Sequence, residues 1–86
     1  MIVKIRKCDH TGDSNLAVYD TEKPETVQVA QEALTNFLAD CNKQFGMTPP
    51  VWARRVGERD FDQFDPARDA LLDKDELIVQ FPMVGG

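Results

Sequence analysis

Leu71-Leu72-Asp73-Lys74-Asp75-Glu76-Leu77-Ile78-Val79-Gln80-Phe81-Pro82-Met83-Val84-Gly85-Gly86 is the stretch on which the reading of the fold turns. Leu77, Val79 and Phe81 alternate with Glu76, Ile78 and Gln80, which is the period of a strand with one apolar face. Asp73-Lys74-Asp75 turns the chain into that strand. Pro82 ends it, because proline brings no N–H to a ladder. The expectation is therefore a strand followed by a tail over 83–86. Four extended residues reach about 13 Å, enough to thread a terminal carboxylate into a partner's channel while the folded body stays outside. Gly85 and Gly86 carry no Cβ, so the walls of such a channel can close on the backbone.

Working outward, Met1, Val3 and Ile5 alternate with Ile2, Lys4 and Arg6, a second strand of the same type. The polar run Asp9-His10-Thr11-Gly12-Asp13-Ser14-Asn15 reads as a hairpin loop, with Leu16, Val18 and Tyr19 on the returning strand. His10 stands alone there and is read as a solvated loop residue. From Thr26, read as the helix cap, Val27, Ala30, Leu34, Phe37, Leu38, Cys41 and Phe45 recur at three- and four-residue steps. That is one face of a helix of about five turns. Gln28, Gln31, Glu32, Thr35 and Asn42 lie on its solvated face. Glu22 and Glu25 suit the positive end of its dipole. Gly46 fits a left-handed cap, and Pro49-Pro50 forbid continuation. Cys41 sits on the apolar face and is read as a packed thiol.

Val51-Trp52-Ala53-Arg54-Arg55-Val56 reads as a third strand ending at Gly57, and either Val51 and Ala53 or Trp52 and Val56 face inward. The segment from Glu58 to Asp75 is acidic. A calcium loop starting at Asp60 fails, because Phe64 and Asp65 stand where an oxygen ligand and a glycine are required. The segment is read as a solvated loop pinned by Phe61 and Phe64, with one helical turn over Pro66 to Ala70 capped by Asp65.

The composition is that of an ordinary soluble globule, 86 residues with 42% hydrophobic and 29% charged side chains. Residues 1–82 are expected to form a single domain and 83–86 a flexible tail. A net charge of −5 argues against a nucleic-acid partner. No apolar run is long enough to span a membrane and no signal-peptide pattern opens the sequence. Cys8 and Cys41 are too few and too far apart for a disulfide framework or a metal knuckle, so a reduced, cytoplasmic setting is expected. There is no Ser/His/Asp set, no phosphate-cradling glycine loop and no metal spacing, so neither an enzyme nor a cofactor or metal is expected.

Leu71-Leu72-Asp73-Lys74-Asp75-Glu76-Leu77 followed by Phe81-Pro82-Met83-Val84-Gly85-Gly86 resembles the leucine, acidic turn, strand and Pro-Val-x-Gly-Gly ending of the sulfur-carrier proteins. These are the small subunit of molybdopterin synthase and the thiamin-thiazole sulfur carrier, members of the ubiquitin-like β-grasp superfamily. Thr26 to Leu34, followed by Gly46-Met47-Thr48-Pro49-Pro50, is also similar in spacing to ubiquitin's helix and the Gly-x-Pro-Pro turn after it. Two positions depart from the carriers. Lys74 stands where their acidic turn usually has glycine, and Arg54-Arg55-Val56-Gly57 lacks their usual asparagine.

The resemblance implies an α+β β-grasp fold, a mixed sheet of four to five strands on one long helix, with the first and last strands side by side. It implies a carrier whose Gly86 carboxylate is adenylated by a ubiquitin-activating-type enzyme and converted to a thiocarboxylate for a sulfur-accepting biosynthetic enzyme. Pro82, Met83, Val84 and Gly85 would then lie in the partner's channel. Ile2, Lys4, Arg6 and Ile78, on the sheet face away from the helix, are expected to form a partner-binding apolar spot rimmed by positive charge. The rival readings are a modifier conjugated through Gly86 and a non-conjugated ubiquitin-like binding module. The absence of arginines before Gly85-Gly86 favours the carrier.

Overall fold

A computed structural model describes residues 1–9 and 12–80, with Asp9 described by its backbone alone. The readings placed on His10, on Phe81 and Pro82, and on the tail Met83 to Gly86 lie outside the described residues. The described chain is α+β. Strands β1 (Ile2–Asp9) and β2 (Gly12–Asp20) lead into α1 (Pro24–Phe45), and β3 (Val51–Arg55), β4 (Phe61–Gln63) and β5 (Lys74–Gln80) follow. The strands form one mixed sheet in the order β2-β1-β5-β3-β4. First and last strands lie side by side and parallel, with Lys4 opposite Glu76 and Cys8 opposite Gln80. All other neighbours are antiparallel.

Alternation decides which side chains go inside. Val3 and Ile5 of β1, Tyr19 of β2, Val51 and Ala53 of β3, and Leu77 and Val79 of β5 meet Ala30, Leu34 and Leu38 of α1 in one cluster, joined by Phe64 and Leu71. Full burial of each Val, Leu or Ile is worth about 1.5–3 kcal/mol, so the central pair β1 and β5 carries much of the stability. Tyr19 adds a polar tie, its hydroxyl donating to the Leu71 carbonyl at 2.6 Å and holding β2 to the segment ahead of β5. Burial first, then Asp73 and Asp75, push its phenol well above the usual range, so the donor stays protonated.

Several expectations change. Met1, read on the inner face, is 44% exposed, and β1 begins at Ile2. The hairpin is tighter than the polar run suggested, since Asp9 pairs with Gly12 and β2 takes in residues 12–15. Ile5 pairs with Ala17 and Arg6 with Asn15, so Leu16 is bulged. The helix starts at Pro24, where a missing N–H costs nothing, with Lys23 as an N-cap that makes no side-chain cap bond. Thr26 does not cap. Its hydroxyl accepts the Asp20 N–H at 2.9 Å and lies within 2.9 and 2.7 Å of the Asp20 and Lys23 carbonyls, to one of which it donates.

Phe45 is 60% exposed although it continues the apolar face. Gly46 takes the left-handed conformation at φ 71°, and its N–H reaches the Asn42 carbonyl. Residues 61–63, read as loop, form β4 against β3. The helical turn read over Pro66 to Ala70 is a shorter turn over residues 66–68, with Asp69 N–H on the Asp65 carbonyl at 2.8 Å and Ala67 N–H on Asp65 Oδ1 at 3.0 Å. Lys74 is relaxed where the carriers use glycine. No described non-glycine residue has positive φ, and the buried Lys74 ammonium donates to Asp73 Oδ1 at 2.6 Å. That bond, above all, holds the Asp73 carboxyl below the usual range.

Candidate functional site

Two features are built around β5. The first is its end. Gln80 lies opposite Cys8 of β1 on one side, and on the other its N–H donates to the Pro50 carbonyl at 3.0 Å. Parallel pairing with β1 puts that end away from Ile2, beside the turn that carries Pro49 and Pro50. Pro82, Met83, Val84, Gly85 and Gly86 follow in sequence and lie outside the described residues. The base from which they extend is anchored, because Leu77 and Val79 are both fully buried at the centre of the sheet.

The second feature is the sheet face turned away from α1. Ile2, Lys4 and Arg6 fall on it, as alternation requires, and line one shallow depression with Asn15, Asp75 and Glu76. Ile78 is on the same face but in another neighbourhood. It lies opposite Arg6 on one side and Trp52 on the other, while Ile2 stands four residues back along β1, about 13 Å away. The expected single apolar spot is therefore two. Ile2, at 60% exposure, is one, and the half-buried pair Ile78 and Trp52 is the other.

The expected positive rim also changes. Glu76 sits between two guanidinium groups, accepting from Arg6 and, at 3.1 Å, pairing with Arg54 Nη2. Arg54 Nε donates to Asp75 Oδ1 at 3.0 Å. Asp75 is the extra residue of a register shift in β5, with Arg54 opposite Glu76 and Arg55 opposite Lys74. The two arginines are thus held flat across the sheet and largely compensated, and Lys4 supplies the exposed charge. The Arg54 guanidinium also lies 5.4 Å from the centre of the Phe61 ring.

An outward Trp52 was one of the two readings left open for β3, while Arg54 and Phe61 were not among the residues singled out for this face. Val51 and Ala53, at 3% and 2% exposure, settle the orientation of β3 and turn Trp52 and Arg54 outward. The apolar run 51–53 conceals that parity, and Phe61 needs the unforeseen β4. An Arg-Arg pair preceding an acidic strand was the available signal for the ion pairs.

Among the described residues no group of three or more His, Cys, Asp or Glu side chains is placed to hold a metal ion. Cys41 is 4% exposed, and burial pushes its thiol up, away from the reactive thiolate. The Cys8 thiol donates to Asp13 Oδ1 at 2.7 Å across the hairpin. Among the described residues no helix is long and apolar enough to cross a membrane. Comparison with protein-family models, with curated proteins and with solved structures finds no match to this chain.

Proposed function

We propose that this chain is a ubiquitin-like sulfur carrier of the β-grasp type, working in the cytoplasm with partner enzymes and with no catalytic constellation of its own. The observation that carries the reading is the place of β5. A strand at the centre of the sheet, parallel to β1 and fixed by the fully buried Leu77 and Val79, ends beside Pro50 and is followed in sequence by Phe-Pro-Met-Val-Gly-Gly. The strand order, with first and last strands as the parallel pair and one long helix on one face, is what a β-grasp requires.

The chemistry follows from the carboxylate. It is ionised at neutral pH, and its oxygen is a poor leaving group, so it must first become an anhydride. The Gly86 carboxylate attacks the α-phosphate of ATP in the activating enzyme and pyrophosphate leaves. A sulfur nucleophile then displaces AMP, and the resulting thiocarboxylate gives its sulfur to a biosynthetic acceptor. The chain's own residues position the tail. Its buried strand fixes the base, and the face around Ile78 and Trp52 meets the activating enzyme.

The face is tested by Ile78→Asp, which buries a carboxylate at the centre of the contact, next to Glu76 and against Trp52. Binding to the activating enzyme, measured by titration calorimetry, is expected to weaken by at least about tenfold, as for a charge placed in an apolar contact. Unchanged affinity means that the face is idle. The carrier reading as a whole is tested by the intact mass of protein purified from its native host, in which a thiocarboxylate exchanges one oxygen of the C-terminal residue for sulfur.

A further inference from the structure

β2 closes one side of the sheet, and at nine residues it is a long edge that among the described residues pairs with β1 alone. Asp20 shows which of its backbone groups point away from β1, since its N–H goes to the Thr26 hydroxyl at 2.9 Å. Alternation puts the N–H and C=O of Val18 on that same side, and those of Asn15 and Asp13 beyond the Leu16 bulge. Among the described residues these three have no backbone partner there. Thr26 closes the edge at Asp20 and leaves the run from Asp13 to Val18 open.

α1 comes closer to β2 than to any other strand. Thr26, Val29, Ala33, Phe37 and Asp40 recur along it at three- and four-residue steps, which is one stripe. Two contacts fix that stripe beside β2. Thr26 is bonded to Asp20, and Lys7, opposite Ser14 in the register, holds its ammonium 5.5 Å from the centre of the Phe37 ring. Between them Val29 is 66% exposed and Ala33 half-buried, so the inner side chains of a strand added to β2 meet an apolar flank. β2 carries Asp13 and Asp20 and no lysine or arginine, and Asp40 continues the stripe. Of the cations on β1, Arg6 is taken by Glu76 and Lys7 lies over Phe37, which leaves Lys4 opposite Val18. A second copy would bring the same acids to this edge on a chain already at −5, whereas lysines and arginines are drawn to it.

We propose that the open edge of β2, with the Val29 and Ala33 flank of α1, takes an extended basic segment of a partner protein as a sixth strand. Main-chain bonds to Val18, Asn15 and Asp13 supply the affinity. Selectivity comes from alternate side chains, apolar ones against Val29 and Ala33 and basic ones toward Asp13 and Asp40. This surface is separate from the Ile78 and Trp52 face and does not depend on the carrier reading.

The test titrates the full chain with a capped Lys-Val-Lys-Val-Lys-Val peptide and follows amide ¹H–¹⁵N spectra. The expected result is saturable displacement of the Asp13, Asn15 and Val18 amides, with slower hydrogen exchange at Val18 and Asn15 once they are paired. The matching Glu-Val peptide is expected to bind at least about tenfold more weakly, because like charges meet. Val18→Pro removes an edge N–H without removing a bond to β1 and should abolish binding. Val29→Lys, at an exposed helix position that leaves the core untouched, should weaken it by at least about fivefold and keeps the test open if the proline variant does not fold. Equal binding of the acidic peptide, or displacement confined to the amides around Ile78 and Trp52, overturns the proposal. Movement of the Val18 and Asn15 amides on dilution of the chain alone overturns it too, since the occupant is then a second copy.

Discussion

Deleting Gly86 is expected to abolish adenylation while leaving the folded body as stable as before. The deletion withdraws the terminal carboxylate by one residue, about 3.4 Å along an extended chain. A misplacement of only 1 Å at a reacting centre costs about 10²-fold, so pyrophosphate exchange with the activating enzyme should fall by more than that and reach background. Gly85→Leu should act in the same way by a different cause, since a side chain must enter a channel shaped around bare backbone. Urea midpoints of both variants should match the parent, because among the described residues the core is built by Val3 to Val79. Undiminished exchange by the deletion variant would remove Gly86 from the mechanism.

The largest stability effect is expected at Leu77. It is fully buried at the centre of the sheet, opposite Ile5 on one side and Ala53 on the other. Truncation to alanine loses the transfer energy of the side chain and leaves a cavity between two strands and the helix, about 3 kcal/mol together. That is a large part of the 5–15 kcal/mol or so available to a domain. With a urea m-value of about 1 kcal/mol/M for a chain of this size, the midpoint should fall by about 3 M. Val29→Ala, at a position 66% exposed on the helix, serves as the control and should stay within about 0.5 kcal/mol. Equal losses at the two positions would mean that β5 is not the anchored base described here.

The contrast between these positions shows what was legible in the sequence. β1 and β5 each have one apolar and one mixed face, so period alone found them and found that Val3, Ile5, Leu77 and Val79 go inside. The helix was legible from Val27 to Cys41 for the same reason, and its C-terminal cap from Gly46. Residues 12–15 were not, because on an edge strand exposed on both faces nothing alternates. Phe61–Gln63 is three residues long and is a strand only because β3 lies beside it, a fact of tertiary pairing.

The site divides along the same line. Alternation put Ile2, Lys4, Arg6 and Ile78 on the outer face correctly. It could not say that Ile78 lies beside Trp52 and apart from Ile2, or that Glu76 would take up the charge of Arg6 and Arg54, because both depend on register across three strands.

The central claim is that Gly86 carries sulfur, and intact mass spectrometry of unreduced protein from its native host tests it most directly. In cells actively making sulfur-containing cofactors, a share of the chain should be heavier by the mass of one sulfur less one oxygen, and fragmentation should map the gain to the peptide ending in Val84-Gly85-Gly86. A conjugated modifier would instead run as a ladder of covalent adducts through Gly86. A homogeneous, unmodified mass from such cells, with the activating enzyme present, would contradict the carrier and leave a binding module in its place.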